Sequence, residues 1–113
     1  MLYDMRLEHY DSEKLKKELL DIASKHLDLS RYTIFFFGSR VANKSDDRSD
    51  IDVGIQGAEL VPTESLRKIK EDIEALPLLY KIDVVDFKHT SDSFREIAKQ
   101  HIEYINEPVG QHL

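Results

Sequence analysis

The residues of this sequence best suited to chemistry are three aspartates and a Gly-Ser pair. Asp50 and Asp52 flank Ile51, Asp83 follows later, and ten residues separate Gly38-Ser39 from Asp50. Carboxylates at i and i+2 of an extended strand project from the same face as close neighbours. Like charges so placed repel, and one takes up a proton unless a cation bridges them. A hard divalent ion such as Mg²⁺ resolves the conflict, because it prefers carboxylate oxygens and keeps positions open for phosphate oxygens and water. Asp83 completes a three-acid cluster if its strand lies beside that of Asp52. Asp86 is three residues further on, and that odd separation turns it to the opposite face of a regular strand. Asp83 is therefore the preferred third acid.

Gly38 stands where an apolar run ends, and glycine allows a tight turn and close approach to a ligand. The Ser39 hydroxyl and nearby backbone N–H groups suit a phosphate at such a turn. Arg40 adds a cation for the same phosphate, or pairs with the Asp46-Asp47 run. Alone, a Gly-Ser is ordinarily a turn and an Asp-x-Asp a solvated strand face. Their fixed spacing and a third acid on another strand favour a working site.

The elements that must position these groups follow from apolar spacing. Asp11 or Ser12 caps a helix with Leu15, Leu19, Ile22, Ala23 and Leu27 at helical intervals. Tyr32 to Phe37 is β-branched and aromatic and predicts a buried strand, its three phenylalanines serving as core. Residues 40–49 are polar and predict mostly loop, after room for one short helical turn. From Ser49 to Ile55 the acids alternate with Ile51, Val53 and Ile55, which predicts a strand with one acidic and one apolar face. Pro62 and Thr63 introduce a helix with Leu66, Ile69, Ile73 and Leu76 as its stripe, closed by Pro77. Lys81 to Phe87 predicts a third strand, parallel to the second through a right-handed helical crossover. A last helix is expected from Ser91 or Ser93 through Phe94, Ile97, Ala98, Ile102 and Ile105 to Pro108, then a loose tail from Glu107 to Leu113. The fold class is thus α/β (α+β), a small mixed β-sheet of about three strands flanked by helices. All 113 residues are expected to form one domain, with its core over about 12–106.

Composition narrows the function. A net charge of −6 argues against a broad nucleic-acid-binding face, which needs a surplus of lysine and arginine. An anionic nucleotide stays compatible, because a divalent metal reverses the local charge of an acidic site. The absence of cysteine removes disulfides and thiolate ligands and suits a reducing cytoplasm. No apolar run is long enough for a membrane span, and residues 1–10 do not read as a signal peptide. Apart from a loose spacing at His101, the five histidines form no ligand spacing and are expected on the surface or in packing.

Gly38-Ser39-Arg40 followed by Ser49-Asp50-Ile51-Asp52-Val53 resembles the motif of the minimal nucleotidyltransferases, members of the DNA polymerase beta superfamily. Lys81 to Phe87 is similar to the family's third strand, and Thr90 to Ile97 to its last helix. The resemblance implies two-metal nucleotidyl transfer from ATP, with Asp50 and Asp52 holding both Mg²⁺ ions. It implies that Asp83 binds the catalytic ion and that Gly38 and Ser39 cradle the terminal phosphates. Minimal members commonly accompany a HEPN-type toxin as its antitoxin and move AMP onto a tyrosine of that partner. With no room for an acceptor domain in 113 residues, a protein acceptor is expected, in a homodimer or hetero-oligomer. The competing readings are an antitoxin that inhibits its partner by contact alone, and a sugar-nucleotide transferase with an isolated Asp-x-Asp.

Overall fold

The computed structural model describes residues 10–38, 41 and 50–107. Its order is α1 (Ser12–His26), β1 (Tyr32–Phe37), β2 (Ile51–Gly57), α2 (Thr63–Glu74), β3 (Ile82–Asp86), a 3-10 turn (Phe87–His89), α3 (Asp92–Ala98) and β4 (Glu103–Tyr104). Asp11 caps α1 by accepting from the Glu13 N–H at 2.9 Å. The strands form one mixed sheet in the order β3-β2-β1-β4. β2 runs antiparallel to β1 and parallel to β3, and α2 makes the crossover between the parallel pair.

Strand parity divides the sheet between two cores. Ile34 and Phe36 of β1, Ile51, Val53 and Ile55 of β2, and Val84 of β3 pack against Leu15, Leu19, Ile22, Ile69 and Ile73 of α1 and α2. Each such side chain, once buried, stabilises the fold by about 1.5–3 kcal/mol. His26 and Asp72, 2.8 Å apart, join the two helices at the edge of this core. The opposite face carries Phe35 and Phe37, covered by Phe87 and, less fully, by Val85, Ala98 and Ile102. The Phe35 and Phe87 rings meet edge to face, with centroids 4.8 Å apart. Gly54 makes that contact feasible: a Cβ there would stand 2.5 Å from the Phe35 ring and 2.7 Å from the Phe87 ring.

The C-terminal part departs from the sequence reading. α3 stops at Ala98, and a fourth strand replaces the rest of the expected helix. β4 pairs antiparallel with β1, Phe35 opposite Tyr104 and Phe36 opposite Glu103. The Ile105 N–H then donates to the Ile34 carbonyl at 2.8 Å. The Asn106 side chain prolongs the ladder, accepting from the Ile34 N–H at 2.7 Å and donating to the Tyr32 carbonyl at 2.9 Å. The physical cause is the edge of β1. All six of its residues are buried, so its outer N–H and C=O groups need partners that a continued helix would not supply. Glu103, buried in β4, forms an ion pair with Lys16 of α1. Residues 108–113, most of the expected tail, and 42–49, most of the expected loop, lie outside the described residues.

Candidate active site

Asp52 and Asp83 are register partners across the parallel β2–β3 pair. Both belong to the Phe35 face of the sheet, since their immediate neighbours Ile51, Val53 and Val84 enter the helix-side core. Asp50 stands just before β2, half-buried and close enough that its charge acts on Asp52. Burial first, then the carboxylates of Asp83 and Asp50, push the Asp52 carboxyl up to about 6. Among the described residues no basic side chain forms an ion pair with any of the three.

Asp86 behaves differently, as parity requires. It is buried on the helix-side face and accepts from the Val61 N–H at 2.9 Å and the Lys88 N–H at 3.0 Å. Those bonds hold the chain entering α2 and start the 3-10 turn after β3. Its work is structural.

Gly38 ends β1 with φ +88°, the left-handed region that glycine tolerates best. It packs so closely on the site that a Cβ there would sit 2.2 Å from Asp52 Oδ2. Ser39 and Arg40, the other two residues expected to bind phosphate, lie outside the described residues.

Gly38, Asp52 and Asp83 open onto a cleft of about 550 Å³. Its other wall is apolar, built from Phe37, Val85, Phe94, Ile97 and Ala98, with Gln100 and His101 beside them. The sequence places Phe94, Ile97 and Ala98 in a last helix that runs on to Pro108. In the structure Phe94 is 40% and Ile97 69% exposed, and both face this cleft. Their i, i+3 spacing was the available signal. What it lacked was the knowledge that α3 is too short to be covered on that side.

The donor set is all carboxylate oxygen, which matches the preference of Mg²⁺ and leaves room for phosphate. A cation there would offset both the burial and, after it, the repulsion that raise Asp52. Among the described residues no three histidine, aspartate or glutamate side chains already converge as a metal cage.

The family pattern described as "Polymerase beta, Nucleotidyltransferase" matches residues 17–107. The chain belongs to this family. Its mixed sheet flanked by helices is a nucleotidyltransferase fold, here with four strands rather than about three. The chain is similar to the probable protein adenylyltransferase MntA of Haemophilus influenzae, with 32% identity over 90 residues, or 72% of this chain and 79% of that protein. It also resembles the crystal structure of a toxin–antitoxin with AMP-PNP, with a TM-score of 0.66 and 15% identity over 82% of this chain and 73% of that one. A third relative belongs to a structure of the tri-AMPylated Shewanella oneidensis HEPN toxin in complex with the MNT antitoxin. There the TM-score is 0.62 at 15% identity, covering 85% and 73% of the two chains. At such identities the structural likeness establishes the fold alone. Among the described residues no helix is long and apolar enough to cross a membrane.

The raised Asp52 has a thermodynamic consequence for this nucleotidyltransferase without metal. An unfolded aspartate titrates near 3.9. Between about pH 4 and 6 the folded carboxyl therefore holds a proton that the unfolded one has released. This contribution to stability is complete below the unfolded value and is lost as pH rises through about 6. In metal-free buffer Asp52→Asn should melt above the parent at pH 7.5. Thermal denaturation across pH 4 to 7.5 should show that gap growing with pH; a constant gap or a lower melting temperature would refute the assignment.

Proposed function

We propose that the chain is a cytoplasmic, Mg²⁺-dependent protein adenylyltransferase of a toxin–antitoxin pair, moving AMP from ATP to a tyrosine hydroxyl of a HEPN-type partner. The observation that carries this reading is the register pairing of Asp52 with Asp83 beside the Gly38 turn, at the mouth of a cleft, in a chain of this family. The similarity to a probable protein adenylyltransferase and to antitoxins solved with HEPN toxins supports the choice of acceptor.

In this reaction the acceptor oxygen forms a bond to the α-phosphorus as the bond to the bridging oxygen breaks. Pyrophosphate leaves, and the hydroxyl proton passes to a carboxylate or to water. Asp50, Asp52 and Asp83 are the residues that would hold two Mg²⁺ ions. When bound, these ions would stabilise charge on the attacking and leaving oxygens. The left-handed turn at Gly38 lets the backbone approach the phosphates closely, and Ser39 and Arg40 are assigned the hydroxyl and guanidinium that bind them. Positioning and electrostatics supply most of the rate in such transfers.

Co-purification with the partner, addition of Mg·ATP and intact-mass measurement test the proposal. The expected result is a mass gain of one AMP for each modified side chain, absent when EDTA is added. Binding of the partner with no mass change under Mg·ATP would replace transfer with inhibition by contact.

A further inference from the structure

The apolar wall has a purpose that the acidic groups do not explain. Phe94 meets Phe37 and Phe87 edge to face, with centroids 6.0 and 5.6 Å away. Its ring is therefore held by the core while 40% of the residue stays exposed. Arg95 fixes the corner before α3 by donating to the Phe87 and Thr90 carbonyls at 2.9 and 3.0 Å. The wall is thus already formed around Phe94.

A triphosphate gains nothing from it. Phosphate oxygens need N–H or cationic partners, and Phe94, Ile97 and Val85 provide neither, so charge laid against them would be desolvated without compensation. An aromatic ring suits the wall. Asp83 and Val85 lie two apart on the same face of β3, about 6.5 Å along the strand. That is about the reach of a tyrosine side chain from its hydroxyl oxygen to its Cα. With its hydroxyl at the carboxylates, a phenol ring would lie over Val85 and against Phe94 and Ile97. Its one polar atom would be at the acids and its apolar body on the wall. A serine or threonine hydroxyl could reach the acids but would leave the wall uncovered. Adenine is held away from the reacting phosphorus by a ribose, so its ring does not lie directly beside the carboxylates as a phenol's does.

We propose that Phe94, Ile97 and Val85 form the seat of the acceptor's aromatic ring and select tyrosine over aliphatic hydroxyls. The proposal rests on the transfer reaction above and assigns residues to its acceptor.

Two measurements test it. In the first, the full chain with 13C-labelled isoleucine δ1-methyls is titrated with N-acetyltyrosinamide, N-acetylserinamide or Mg·ATP. The Ile97 methyl is expected to show an upfield ring-current shift with the tyrosine probe alone. A ring-current shift with Mg·ATP alone would give the wall to the nucleotide base and overturn the proposal, as would no shift with any probe. In the second, Ile97→Ser, at an exposed position, is compared with the parent in transfer to the partner. The expected change is a KM for the partner raised about tenfold, from the loss of apolar contact, with the KM for ATP unchanged. A raised KM for ATP with the partner's unchanged would refute it. The methyl titration needs no turnover, so a chain that failed to transfer AMP would sink the reaction while the ring seat was still decided.

Discussion

Asp52→Asn is expected to lower AMP transfer to the partner by about a thousandfold, the scale seen when one electrostatic element of a preorganised site is removed. The substitution keeps the shape of the side chain and removes its charge. It lies on the paired strand face opposite Asp83. Asp83→Asn should act in the same direction. Neither change should prevent binding of the partner, which gel filtration of the mixture would show. The decisive feature is the opposite sign of the two effects at Asp52: activity collapses while the metal-free protein melts higher at neutral pH, since the repelled carboxylate is gone. Misfolding would lower both. Transfer within tenfold of the parent would show that Asp52 is not part of the reacting centre.

Gly38→Ala is the second large effect, and its damage should fall on activity more than on stability. The backbone at φ +88° costs a residue with a Cβ roughly 1–2 kcal/mol. The added carbon would lie 2.2 Å from Asp52 Oδ2 and 3.1 Å from its Cγ. The obstacle is the far end of a side chain, so the fold accommodates it by displacing the carboxylate. Displacement by about 1 Å at a reacting centre costs on the order of 10²-fold in rate. Urea denaturation and transfer kinetics on the same preparation separate the two. Gly57→Ala is the comparison: a Cβ there would strike the Tyr32 ring at 2.6 Å and the Arg31 carbonyl at 2.7 Å, away from the acids. It should cost stability while the rate per folded molecule is kept. Equal rate losses in the two variants would mean that Gly38 acts only through the fold.

Much of this architecture was legible in the chain because it is local. The stripe Leu15-Leu19-Ile22, the run Tyr32 to Phe37 and the alternation around Asp50 and Asp52 each carry a period that only one kind of element satisfies. Parity on a strand is also a local property, and it separates Asp83 from Asp86. The structure places those two on opposite faces, one at the cleft and one capping the 3-10 turn.

The C-terminal part was not legible for the converse reason. Ile102 and Ile105 fit a helical stripe as well as an edge strand, and nothing nearby distinguishes the two. The choice was made more than sixty residues away, by the unpaired edge of β1, which Tyr104, Ile105 and the Asn106 amide satisfy. With α3 ending at Ala98, Phe94 and Ile97 face the cleft. The sequence by itself determined which acids share a strand face, because spacing and strand parity are written along the chain. Only the tertiary structure decided that an apolar wall stands beside them, because the pairing of distant strand edges set the length of the helix that carries it.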